Sequence, residues 1–173
     1  MSRDPLALAT TSASETQQLA AALAAIAEPG DLLLLAGEMG AGKTAFAQGF
    51  ALGLGITEQV TSPTFTIVRE YSGGRLALHH LDVYRLESLS EVADLGLSEM
   101  LDEDAVMLVE WGDAVLPALP DQYLELRITF GEDDDQRLLE LRGVGGSWPA
   151  RARVVAETVA PWRAEDPGAG SPC

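Results

Sequence analysis

The sequence has little cysteine, few basic residues and no long apolar run. Its single cysteine, Cys173, is the last of 173 residues, which excludes an internal disulfide framework and a multi-cysteine zinc site. No stretch reaches the roughly eighteen apolar residues that a membrane-spanning helix needs, and the N-terminus lacks the basic-then-apolar pattern of a signal peptide. We therefore expect a soluble protein of a reducing, cytoplasmic compartment that does not associate with membranes.

Basic residues are outnumbered by acidic ones. Eleven Lys and Arg residues stand against twenty-seven Asp and Glu, which gives a formal net charge of −16 at pH 7. Such a surface repels phosphate backbones, so we expect no direct, high-affinity binding of nucleic acid by the isolated chain. The acidic run at residues 132–135 is interpreted as a solvated turn.

Length and composition predict one domain over residues 1–163. A chain of this size has room for one good hydrophobic core but not for two domains. Residues 164–173 are predicted to be a disordered tail, because the sequence EDPGAGSPC at 165–173 offers too little apolar surface to offset chain entropy.

The most informative motif is GEMGAGKT, from Gly37 to Thr44, which fits the phosphate-loop pattern G-x-x-x-x-G-K-[ST] at every fixed position. An apolar run at 32–36 precedes it, and residues from Ala45 to Ala51 continue with helical spacing. Strand, glycine loop and helix are the context that this motif requires. The predicted nucleotide-binding residues are Gly37, Glu38, Met39, Gly40, Ala41, Gly42, Lys43 and Thr44.

The chemistry of the loop follows from its residue types. Gly37, Gly40 and Gly42 allow positive φ and a close approach of the backbone to an anion. Free amides at the start of the helix then point at phosphate oxygens. Lys43 is expected to reach the β and γ phosphates of ATP, and the Thr44 hydroxyl to bind Mg²⁺. The alternative is a glycine-rich turn that binds nothing.

Hydrophobic periodicity predicts an α/β fold of the P-loop NTPase type, a three-layer sandwich with a mostly parallel central sheet and antiparallel additions. Four helices are predicted. The first starts in the segment Ser12 to Glu15 and has the apolar stripe Leu19, Leu23 and Ile26, and the second follows the glycine loop and ends near Gly53 and Gly55. The third spans 91–101 with Ser90 as its cap, and the fourth spans 148–162. The predicted strands are 32–36, 65–71, 76–83, 105–109, 123–130 and 137–143. Gly73 and Gly74 suggest a two-residue hairpin turn between the second and third of these strands.

Two acidic residues, Asp82 and Glu110, each end an apolar strand-like segment. The carboxyl ends of strands line the ligand crevice of open α/β sheets, and ATP hydrolysis needs a carboxylate for Mg²⁺ and a group to orient water. We predict Asp82 and Glu110 as the catalytic pair, without deciding which holds the metal. The alternative for each is a cap or turn residue.

Three neighbours of these acids have two interpretations each. His80 either tunes the Asp82 carboxylate or is a hydrogen-bonded structural imidazole. Arg85 either neutralises phosphate charge or pairs with surface acids. Trp111 is either a core residue or an aromatic wall beside the nucleotide.

Four segments together carry a resemblance to a known family. GEMGAGKT at 37–44, SPTFTIVREY at 62–71, HLDVYRL at 80–86 and VEW at 109–111, in this order and spacing, resemble the TsaE family of bacterial P-loop ATPases. The similarity extends from about Ser12 to about Arg142. The loop departs slightly from the family pattern, with Glu38 and Met39 where Asp and Leu are usual, at positions that face outward.

The resemblance implies a function in tRNA modification. It implies a Mg²⁺-dependent ATPase, weak alone, required with the partner proteins TsaB and TsaD for the N6-threonylcarbamoyl modification of adenosine 37 in tRNAs reading codons that begin with A. It also implies a switch-like segment containing Ser62 and Thr64, a Trp111 ring near the nucleotide, and an approach of residues 10–14 to adenine.

Two other classes of function remain open at this point. A small-molecule kinase also fits a compact P-loop domain, but such enzymes need an arginine-rich lid, and only Arg69, Arg75 and Arg85 lie in the middle of this chain. A nucleotide-dependent interaction module without hydrolysis would require that Asp82 and Glu110 do not complete a site.

Overall fold

The computed structural model describes residues 4–63, 68–84, 86, 88–102, 104–110 and 116–164. Within these residues seven strands form one sheet. The strands are β1 (Leu6–Thr10), β2 (Leu32–Gly37), β3 (Val68–Tyr71), β4 (Ala77–Asp82), β5 (Ala105–Glu110), β6 (Tyr123–Phe130) and β7 (Arg137–Val144). The helices are α1 (Ala13–Ala25), α2 (Lys43–Leu54), α3 (Leu89–Asp94), α4 (Leu97–Asp102) and α5 (Trp148–Thr158), followed by a 3₁₀ turn at Ala160–Trp162.

The sheet has the order β1-β7-β6-β2-β5-β4-β3. Its four central strands, β6, β2, β5 and β4, run parallel, whereas β1, β7 and β3 pair antiparallel at the flanks. This confirms the predicted fold class, a central parallel sheet with antiparallel additions. Strand β2 lies in the middle, so the loop that follows it leaves from the centre of one sheet edge.

Helices cover both faces of the central sheet, and alternate residues of β2 therefore pack in two different hydrophobic cores. Leu33 and Leu35 pack in the core that contains α1, α2 and α5, whereas Leu32 and Leu34 pack in the core that contains α3 and α4. All four side chains are almost fully buried. A continuous apolar run is what a strand covered on both faces requires, and the three layers follow from it.

Strand β1 was not predicted. Its sequence, LALAT, contains two alanines, which have low β propensity. The strand forms because it pairs with β7, from Leu6 opposite Leu141 to Thr10 opposite Arg137. Because that pairing joins distant parts of the chain, the sequence of residues 6–10 alone does not indicate a strand.

The hairpin between β3 and β4 has a wider turn than the predicted two residues, since residues 72–76 connect the strands. The Arg75 amide donates to Leu54 O at 2.7 Å. The Arg75 guanidinium donates to Ala24 O at 2.6 Å and to Ala27 O at 3.0 Å. These contacts bind the turn to the ends of α1 and α2, so tertiary contacts and not the Gly73-Gly74 pair set its length.

The predicted helix at 91–101 is two short helices, and its cap is Ser88 rather than Ser90. The Ser88 hydroxyl accepts from the Glu91 amide, and the Glu91 carboxylate accepts from the Ser88 amide. A capping box needs a Glu three residues after the cap, which Ser88 has and Ser90 lacks. Gly96, with φ +67°, separates α3 from α4.

The last helix, predicted to reach residue 162, ends at Thr158. Pro161 cannot donate a helical hydrogen bond and its ring crowds the preceding turn, so the chain continues as a 3₁₀ turn. The disordered tail predicted for 164–173 lies outside the described residues except for Ala164, whose amide donates to Ala7 O of β1. No helix in the described part of the chain has the length and apolar character to cross a membrane.

Candidate functional site

The glycine loop joins the end of β2 to the start of α2. Gly37, Gly40 and Gly42 have φ angles of +155°, +81° and +109°, which confirms the prediction that these glycines adopt positive φ. At Gly37 space is also limiting, because a Cβ there would lie 2.6 Å from Ile128 O on β6. The loop backbone therefore passes too close to β6 for any side chain at that position.

Lys43 folds back over the loop that precedes it. Its side chain is only 5% exposed, and Nζ donates to Gly37 O at 2.7 Å and to Glu38 O at 2.8 Å. The neighbouring Glu38 and Met39 point outward, with Met39 76% exposed. The ammonium group is thus held inside the curve of the loop while the variable side chains face solvent.

Helix α2 begins at this loop without a side-chain cap. Its N-cap residue is Gly42, which has no side chain that could accept a hydrogen bond from the first turn. The amides of a helix's first turn have no intrahelical partner, and together with the helix dipole they attract anions. The loop, Lys43 and the open end of α2 form a cradle of donors that fits a phosphate chain.

One supporting contact of the loop was missed by sequence reasoning. Arg137, the first residue of β7, donates from Nε to Ala41 O at 3.0 Å, and its guanidinium lies over the Phe130 ring at 4.7 Å from the centroid. The contact joins residues far apart in the chain, so no spacing could reveal it. Arg137 ties the β6–β7 turn to the backbone of the glycine loop.

Asp82 and Glu110 are brought together by the sheet. They are register partners at the ends of the parallel strands β4 and β5, and Glu110 is in turn opposite Leu35 of β2. Both carboxylates are buried, 5% and 3% exposed. Paired residues of parallel strands point to the same face. Leu78, four residues before Asp82, and Leu108, two residues before Glu110, belong to the α1–α2 core, so both carboxylates lie on that face.

Each carboxylate has a different partner. Asp82 Oδ1 accepts from the Tyr84 amide at 3.0 Å, whereas Glu110 Oε1 lies 2.8 Å from His80 Nε2. The histidine therefore contacts Glu110 and not Asp82, the carboxylate that sequence proximity suggested it would tune. The reason is that β4 and β5 are adjacent, so His80 meets a residue of the neighbouring strand.

Several predicted residues lie at or beyond the edge of what the structure describes. Ser62 is half-buried just before the undescribed residues 64–67, and the predictions on Thr64, Arg85 and Trp111 lie outside the described residues. Thr10, in the segment proposed to approach adenine, is fully buried, and its hydroxyl lies 2.8 Å from that of Thr16.

The arginines expected for a kinase lid have structural partners. Arg69 donates to the Thr61 hydroxyl at 2.8 Å, and Arg75 binds carbonyls at the end of α1. Arg85, the third of the set, lies outside the described residues. The two described arginines offer no support for a lid over the glycine loop.

Comparison with known proteins identifies the family. The model of the family "Threonylcarbamoyl adenosine biosynthesis protein TsaE" matches residues 10–139. The tRNA threonylcarbamoyladenosine biosynthesis protein TsaE of Bacillus subtilis is 49% identical over 129 residues, which are 75% of this chain and 80% of that protein. The TsaE protein of Treponema pallidum is 39% identical over 127 residues, 73% of this chain and 93% of that protein.

The fold comparison agrees with the sequence comparison. A crystal structure of Bacillus subtilis YdiB is similar with a TM-score of 0.78 and 38% sequence identity, and the match covers 91% of this chain and 97% of that chain. The family resemblance carried by the four sequence segments is thereby confirmed. This chain belongs to the TsaE family of threonylcarbamoyl adenosine biosynthesis proteins.

Proposed function

We propose that this chain is a Mg²⁺-dependent ATP hydrolase, weak alone, that serves as an accessory subunit for the N6-threonylcarbamoyl modification of adenosine 37 in tRNAs reading codons that begin with A. The observation that carries the proposal is the meeting of a glycine loop and two buried carboxylates, Asp82 and Glu110, at one edge of the parallel sheet. The names of its relatives point to the same pathway.

The loop residues bind the phosphates of ATP in this proposal. Lys43 Nζ, now held by the Gly37 and Glu38 carbonyls, donates to the β and γ phosphate oxygens, which are stronger acceptors because they are charged. The uncapped amides of α2 donate to the same anion. Glycine at positions 37, 40 and 42 lets the backbone come close enough for these contacts.

The two carboxylates divide the remaining tasks. We assign Asp82 with the Thr44 hydroxyl to Mg²⁺, and we assign Glu110, whose Oε1 lies 2.8 Å from His80 Nε2, to the attacking water. In the described residues no group of three or more His, Cys, Asp or Glu side chains meets at one point. Mg²⁺ commonly takes one or two carboxylates and completes its shell with phosphates and waters. When bound, Mg²⁺ neutralises charge on the β and γ phosphates.

We infer the partners and the place of action from the net charge of the chain and from the pathway in which its relatives are named. With a net charge of −16, the chain is expected to reach a tRNA-modifying assembly through protein contacts, and we infer TsaB-like and TsaD-like partners. ATP binding would act as a switch that changes the surface presented to these partners. A role in tRNA modification fits a cytoplasmic protein.

Turnover of ATP in the presence of the partner proteins tests the assignment of the carboxylates. Glu110→Ala is expected to retain ATP binding within roughly tenfold, or about 1.4 kcal/mol, because the loop supplies the phosphate contacts. The same variant is expected to lose most ATP hydrolysis, because the carboxylate assigned to the attacking water is removed. Asp82→Ala is expected to lose hydrolysis with a stronger dependence on Mg²⁺ concentration. Glu70→Ala, which removes an exposed carboxylate of β3, is the control and should behave as the wild type.

Near-normal hydrolysis by both Asp82→Ala and Glu110→Ala would contradict the assignment and favour an interaction module. The role in modification is tested separately by reconstituting tRNA modification with and without this chain over many turnovers. A requirement only beyond the first turnover would identify a resetting role. Equal yields with and without the chain would overturn the accessory function.

A further inference from the structure

Two consecutive histidines of strand β4 are buried on opposite faces of the sheet. His80 is 0% exposed and His79 is 4% exposed. Because side chains alternate along a strand, His80 shares the face of Leu78 in the α1–α2 core, whereas His79 shares the face of Leu81 in the α3–α4 core. Only His80 lies on the face that carries Glu110.

The His80 imidazole makes one hydrogen bond within the part of the chain that the structure describes. Its Nε2 lies 2.8 Å from Glu110 Oε1, and in the tautomer protonated at Nε2 it donates to the carboxylate oxygen. The other ring nitrogen, Nδ1, is buried and has no hydrogen-bond partner among the described residues. A buried polar atom without a partner lowers stability, so packing alone does not account for a histidine at this position.

We propose that His80 is a positioning residue for ATP hydrolysis, which acts by holding the Glu110 carboxylate in one orientation. The bond to Oε1 fixes the rotation of the carboxylate and leaves Oε2 to receive the attacking water. This proposal rests on the role assigned to Glu110 in the proposed function. His80 is fully buried and has no part in binding phosphate or metal in this proposal, so its loss should slow turnover without weakening the binding of ATP.

Loss of the His80 imidazole is expected to lower kcat while leaving the affinity for ATP nearly unchanged. Removing a residue that orients a functional side chain commonly lowers activity about ten- to a hundredfold. His80→Phe keeps the ring volume and removes the donor, so we expect a loss of this size in kcat. The affinity for ATP should stay within about threefold of wild type. The reason is that the contact between Glu110 and the attacking water stabilises the transition state and does not contribute to the binding of ATP in the ground state.

The experiment compares matched variants in ATP turnover with the partner proteins and in ATP binding by calorimetry. His80→Gln retains a donor near the position of Nε2, and it should recover at least part of the lost turnover. His79→Phe is the matched control, because it changes a buried histidine of the same strand on the opposite face. Thermal unfolding of each variant shows whether the fold is kept.

The double variant with His80→Phe and Glu110→Ala distinguishes two outcomes, a wrong positioning role for His80 and a wrong catalytic role for Glu110. In a Glu110→Ala background, His80→Phe should change turnover by less than about twofold, since coupled residues are not additive. Wild-type turnover in His80→Phe, or equal turnover in His80→Phe and His80→Gln, would overturn the positioning role. Wild-type turnover in Glu110→Ala would instead overturn the catalytic assignment itself.

Discussion

At the scale of single residues, the position of Lys43 has a direct consequence for nucleotide binding. The ammonium is almost buried and is held by two loop carbonyls, so it is in place before ATP arrives. A contact made by a group already in position loses little side-chain entropy on binding. Lys43 is therefore expected to contribute strongly to affinity.

Lys43→Ala is expected to weaken ATP binding at least about tenfold, because a hydrogen bond between charged groups contributes roughly 1.5–3 kcal/mol. Thr44→Ala should chiefly weaken the Mg²⁺-dependent part of binding. Calorimetric titration of ATP with and without Mg²⁺ measures both effects. Unchanged affinity in Lys43→Ala would contradict the phosphate-loop interpretation.

The residues predicted from the sequence are those whose chemistry is local. The φ angles of Gly37, Gly40 and Gly42 follow from a motif in which only glycine fits. The contact between His80 and Glu110 and the contact between Arg137 and Ala41 depend on which strands become neighbours. No spacing along the chain contains that information.

At the scale of elements, α1 and α2 pack more closely than ordinary side chains allow. A Cβ at Gly49 would overlap the Gln17 backbone, and one at Gly53 would lie 2.6 Å from Ala21 Cα. Gly49 and Gly53 are one turn apart on α2, so they form a groove that receives the backbone of α1. This contact fixes the helix that follows the glycine loop.

Gly49→Ala is expected to destabilise the fold although alanine favours helix formation by about 1 kcal/mol. Overpacking typically costs 1–3 kcal/mol, and here the obstruction is backbone, which cannot turn aside. Urea unfolding should show a lower midpoint for Gly49→Ala than for wild type. Leu52→Ala, on the exposed face of the same helix, is the control and should change the midpoint little. A midpoint for Gly49→Ala equal to or higher than that of the wild type would contradict the prediction, because it would mean that α1 and α2 move apart to accept the added Cβ at no cost.

The elements predicted correctly are those with a strong local pattern. The buried runs of β2 and β5 and the alternation of β6 and β7 each follow from the apolar spacing of one segment. Two features that the sequence did not predict depend on remote contacts, as β1 depends on β7 and the β3–β4 turn depends on Arg75. The early end of the last helix has a local cause, Pro161. The Ser88–Glu91 capping box was local and could have been found from its spacing.

At the scale of the whole molecule, several of the few cations in the described part of the chain are paired with carboxylates of the same chain. Arg142 donates to Glu125 at 2.7 Å and Arg127 to the same carboxylate at 3.3 Å. Arg151 is paired with Asp31 at 2.8 Å and lies over the Trp148 ring. Cations that have carboxylate partners do not form a positive surface, so the charge of −16 is not offset by a local basic patch at these sites.

The isolated protein is therefore expected to show no saturable tRNA binding at physiological salt. Binding to a nucleic acid gains free energy when several clustered cations displace counterions from phosphates, and a surface with excess acid repels the polyanion before contact. A fluorescence titration with labelled tRNA, repeated at several salt concentrations, measures this. Sub-micromolar affinity that falls with salt would contradict the prediction, because only a basic groove could produce it, whereas association seen only after the partner proteins are added would agree with recruitment through protein contacts.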